Sequence, residues 1–146
     1  MASTISDASM TVTITESLIL NGVNQGSTKK MTIAGINEVS KRIVRVLASS
    51  DSTQIYKGHL NTASYGQFIY GDVKYIRITN LDKDNAVVIH IEDSTLSHDA
   101  QFLIPAGHVF FLTDAAASYG SAADIAIPVG NIERIEITKG SGSVVY

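Results

Sequence analysis

The chain has no cysteine and no tryptophan, only two prolines, and no apolar run near the length of a bilayer. Without cysteine there are no disulfides, no thiolate metal sites and no thiol redox chemistry, which suits folding in a reducing cell. At 146 residues a covalent staple is unnecessary. A chain of that length buries about two thirds of the surface it exposes when unfolded. A spanning helix needs about 20 consecutive apolar residues, so no membrane partner is expected. The start, MASTISDAS, lacks both a positive leader and an apolar centre, so export by a cleaved signal is not expected either. Charge is also thin, with 11 basic against 14 acidic residues and a net charge of −3. No basic stripe is available for phosphates, so nucleic acid is not an expected partner.

What the chain does have is Ile, Val, Thr, Ser, Gly and Tyr, with comparatively few Leu, Glu, Lys and Arg. β-branched and aromatic residues fit a pleated, half-buried surface, and the helix fillers are the ones in short supply. MTVTITESLIL alternates into a strand ending near Leu20, and NGVNQGSTKK breaks it with turn residues. MTIA follows. From 36 to 47, Ile36, Val39, Ile43, Val46 and Leu47 trace a helical stripe, yet KRIVRV alternates charge with Ile and Val; a strand is the reading adopted and a helix the alternative. TQIYKG, QFIYGD, KYIRIT and AVVIHIED are further strands, and Pro105 and Gly107 turn the chain into HVFFL, expected to be heavily buried. IEIT and SVVY flank KGSG as a closing hairpin. The expectation is a flexible arm, 1–9, followed by one all-β domain, 10–146: an antiparallel two-sheet sandwich, jelly-roll or immunoglobulin-like, of about ten short strands. Its open sheet edges invite association.

KYIRITNLDKDNAVVIHIED places a polar knot between two alternating runs. As a calcium loop starting at Asp82 it fails three times, with Ala86 at the fifth position, Val87 where glycine is needed and Asp93 in place of a bidentate Glu. Asp and Asn also bond their own backbone in turns, so the knot reads as a hairpin loop. Alternation then puts Tyr75, Arg77 and Thr79, with Val88, His90 and Glu92, on one outward face, a candidate subunit or partner contact. His90 and Glu92 with His98 form a conceivable zinc trio, but six intervening loop residues argue against it, and no metal is expected. His59 and His108 lack a nucleophile signature, and the glycines do not form a phosphate cradle, so neither catalytic residues nor a cofactor are expected. Tyr65, Tyr70 and Tyr119, in loops of small residues, are candidate contacts, since tyrosine offers area with a polar tip.

At VTITESLILNG, INEVSKRIV, DVKYIRITNLD and IPAGHVFFL the chain resembles small β-rich structural proteins of tailed bacteriophages, over most of its length from Val12 onward. The shared phrases are a strand, Thr-Asn-Leu-Asp and a strand, then a Pro-Ala-Gly turn into a buried strand, and a closing Val-rich hairpin. The resemblance implies a non-enzymatic virion component made in the host cytoplasm. Within that group it implies a decoration or cement protein bound to the major capsid protein on the head surface, with a tail, neck or receptor-binding component as the alternative. It also implies a homo-oligomer, a trimer in preference to a dimer.

Overall fold

The computed structural model describes residues 7–46, 52–60, 68–93, 99–113, 130 and 132–139. The chain is all-β, as its composition predicts. In order, the strands are β1 (Ala8–Thr15), β2 (Ile19–Leu20), β3 (Val23–Asn24), β4 (Thr28–Ile36), β5 (Thr53–His59) and β6 (Phe68–Ile69). After a single 3-10 turn, Tyr70–Asp72, come β7 (Tyr75–Thr79), β8 (Val87–Asp93), β9 (Asp99–Ile104), β10 (Val109–Thr113) and β11 (Ile132–Lys139). They fall into two compact units, residues 1–41 and 42–146, where one domain after a short arm was expected. The last two residues of that arm, Ala8 and Ser9, already belong to β1.

The first unit is an antiparallel ribbon of β1 and β4 carrying a smaller hairpin of β2 and β3. Register explains its two faces: Met10 lies opposite Ile33 and Val12 opposite Met31, while Thr11 lies opposite Thr32 and Thr15 opposite Thr28. One face is therefore Met, Val and Ile, with Lys29 opposite Ile14 at one end, and the other mostly threonine. At the tip, Asn21 and Gly22 both take positive φ, 51° and 77°, the signature of a two-residue type I′ turn. No described residue of this unit is buried.

The second unit holds the core. A five-stranded sheet in the order β6-β5-β11-β8-β9, antiparallel except for the short β5/β6 pair, faces a two-stranded sheet of β10 and β7 in a sandwich-like arrangement. From the larger sheet Val87, Ile89, Ile91, Ile104, Ile132, Ile135 and Ile137 point inward, and from the smaller one buried Ile78 with half-buried Ile76, Phe110 and Leu112. Ile132 and Ile135 are three apart, which strict alternation would put on opposite faces. A register shift between Ile132 and Arg134 restores both to the core. Each fully buried Ile contributes about 1.5–3 kcal/mol, so this unit has a driving force that the ribbon lacks.

Three expectations need correction. The runs either side of the polar knot are not a hairpin: β7 pairs with β10, whereas β8 lies between β11 and β9, so the knot carries the chain from one sheet to the other. Residues 37–45 form neither strand nor helix, and Val46 makes only an isolated bridge. Val39 and Ile43 are largely exposed there, because this segment spans the boundary between the units and its alternation finds no sheet to join. β10 is only partly buried, with Val109 52% and Phe111 37% exposed, since a two-stranded sheet is covered on its inner face alone. The closing KGSG turn and SVVY lie outside the described residues.

Candidate contact surfaces

The knot is built around Asn80, which is fully buried. Its Nδ2 donates to the carbonyls of Asn85 (2.8 Å), Pro105 (3.1 Å) and Ile104 (3.2 Å), and its Oδ1 accepts the amide of Asp82 at 3.1 Å. One side chain thereby ties the knot to the Pro-Ala-Gly turn, whose Gly107 takes a φ of 71° and whose His108 donates its amide to Pro105 O. The backbone amide of Asn80 donates in turn to His108 O at 2.9 Å. Asp82 then caps the knot: its Oδ1 accepts the amides of Asp84 (2.8 Å) and Asn85 (2.9 Å) and the Asn85 side chain. Those bonds, led by the Asp84 amide, favour the carboxylate and hold its pKa below the ordinary value.

The six residues predicted to share one outward face are divided between two surfaces. Val88, His90 and Glu92 lie on the side of the five-stranded sheet away from the core. There β11 sets Thr138, Glu136 and Arg134 opposite them, and β9 adds Leu103, Gln101 and Asp99. The charged members form a chain of contacts. His90 Nε2 is 3.0 Å from Asp99 Oδ2 and its Nδ1 is 3.9 Å from Glu92 Oε1. Arg134 Nε donates to Glu92 Oε2 at 2.6 Å, its Nη2 meets the same oxygen, and its Nη1 lies 3.6 Å from Glu136 Oε1. Ser52 Oγ closes the row by donating to Glu136 Oε2 at 2.7 Å. Bonding to Glu92 raises the pKa of the Arg134 guanidinium. His90 has carboxylates for partners and Ser52 bonds to Glu136. Among the described residues no group of three or more acidic or His side chains could hold a metal ion; His98 lies outside them. This row is cross-strand glue between β11, β8 and β9.

Tyr75, Arg77 and Thr79 lie on the outer face of the smaller sheet, opposite Thr113, Phe111 and Val109. Exposed Arg77 beside part-exposed Phe111 and Val109 makes a mixed surface of the kind that contacts another protein. Of the candidate tyrosines, Tyr65 and Tyr119 lie outside the described residues. Tyr70 is half-buried beside Gly58: a Cβ on Gly58 would sit 2.7 Å from both Tyr70 Cβ and the Tyr56 hydroxyl, so Gly58 is required by that close approach.

Two further surfaces escaped the sequence patterns. The ribbon tip exposes Leu18, Ile19, Leu20 and Val23, each more than half accessible. The other surface is the side of the sandwich where β9 turns into β10. Phe102 is 41% and Leu103 63% exposed, and the Phe102 ring lies 4.9 Å from that of Phe110. Its signal was present: from Ala100 to Thr113 the sequence carries no Asp, Glu, Lys or Arg. Comparison with protein-family models, curated proteins and solved structures finds no match.

Proposed function

We propose that this chain is a non-enzymatic structural component of a tailed-phage virion, a decoration protein that binds the outside of the head and bridges neighbouring capsomers. The observation that carries the proposal is the ribbon of β1 and β4: an amphipathic pair of strands with an exposed apolar tip and no buried residue among those described. A two-stranded ribbon is marginal in water by itself, and it gains stability when its apolar face is covered by a partner. The resemblance supplies the identity of that partner, the major capsid protein. The sandwich adds a body with its own core, and the outer face of Tyr75, Arg77 and Phe111 offers a second contact, so that two modest attachments act together. That same face also fits a tail or receptor-binding component, and copy number per particle separates the two.

The test is cosedimentation of the purified chain with heads that lack it. The chain should pellet with the heads. Leu20→Asp, which changes an exposed tip residue, should abolish binding, and Arg77→Glu should weaken it, both with unchanged circular dichroism. Failure of the unaltered chain to bind any head preparation removes the proposal.

A further inference from the structure

We infer that the outer edge of β9 is a docking edge for a second copy of this chain, with Phe102 on the two-fold axis. The inference does not depend on where the protein acts. β9 is the last strand of the five-stranded sheet, and among the described residues no strand pairs with its free side. Natural edge strands are guarded by lysine, an internal proline or a bulge that breaks the pairing. β9 has none of these: its pairing with β8 runs without a shift from Glu92/Asp99 to Val87/Ile104, and its only charge is Asp99 at one end.

The occupant follows from charge and symmetry. Residues 100–104 are uncharged and Phe102 is their midpoint. Antiparallel pairing about that midpoint sets Phe102 against Phe102 of the second copy, Gln101 against Leu103, and Ala100 against Ile104. Each pair points to one side of the joined sheet, no like charges oppose, and both Asp99 carboxylates fall outside the paired stretch. A partner strand carrying charge would leave that charge against an apolar edge, whereas the strand's own copy does not. The exposed Phe102 rings, each already against Phe110, would meet across the axis and cover apolar surface that the sandwich leaves open on this side. Two five-stranded sheets then join into one continuous sheet, and the contact closes as a two-fold dimer.

The chain's lack of cysteine makes the geometry directly testable. Directly opposed antiparallel residues have Cα atoms about 4.5–5.5 Å apart, inside the range of about 4.4–6.8 Å that a disulfide spans. The unaltered chain should sediment as a dimer. Phe102→Cys should cross-link to a covalent dimer under mild oxidation, while Lys57→Cys, exposed on β5 away from the edge, should not. Leu103→Lys, whose side chain is exposed and leaves the core untouched, should give a folded monomer at concentrations where the unaltered chain is dimeric. A monomeric unaltered chain, equal cross-linking at positions 57 and 102, or an oligomer indifferent to Leu103→Lys overturns the inference.

Discussion

Asn80, Asp82 and Tyr56 carry the polar burdens of the fold, each in a different way. Asn80 satisfies three carbonyls and one amide from a fully buried position, so Asn80→Ala strands those groups without partners. Chemical denaturation should show a loss of about 3 kcal/mol, the scale expected when several buried bonds are broken at once. Asn80→Asp, which replaces the donor with an acceptor facing three carbonyl oxygens, should cost at least as much. Asp82 has a folded pKa below its unfolded value, so its contribution is present above the unfolded value and is lost as pH falls below it, through the folded one. Asp82→Ala should therefore flatten the acid limb of a stability-against-pH curve. Tyr56 has the opposite sign. Burial pushes its hydroxyl up to about 12, and that hydroxyl has no hydrogen-bond partner. Its contribution is complete below the unfolded tyrosine value, about 10, and declines as pH rises toward 12. Tyr56→Phe should remove that alkaline decline and raise stability at neutral pH by about 1 kcal/mol, since it deletes an unsatisfied buried group.

At the scale of the element, alternation was readable and pairing was not. Val87, Ile89 and Ile91 could be assigned to a buried face because period two is local, and the polar knot could be identified as a turn because Asx bonding is local. That β7 would pair with β10 depends on contacts across thirty or more residues, which no local pattern encodes. The same limit misplaced Tyr75, Arg77 and Thr79 beside His90 and Glu92, although each triplet does lie on one face of its own strand. The register shift in β11 hid the inward triad of Ile132, Ile135 and Ile137, because one extra residue inverts the alternation that follows. The tip of the ribbon offers a prediction of the same local kind. Gly22 takes a φ of 77° that a β-branched residue resists, so Gly22→Val should open the β2/β3 hairpin. Amide exchange at residues 19–24 should accelerate in that variant, with the protection of β8 and β11 unchanged.

On the scale of the whole molecule, a unit with a dense isoleucine core accompanies a two-stranded ribbon that has no buried residue among those described. The composition foretold the sandwich, but HVFFL was expected to be heavily buried, and only strand order shows that β9 is an edge. Exposed tips and unguarded edges are surfaces that an assembly can cover, and they motivate the proposed structural place on a virion. Quantitative mass spectrometry of purified virions tests that claim most directly. The protein should be present at hundreds of copies per particle, in fixed ratio to the major capsid protein; its absence, or a handful of copies, contradicts a decoration role.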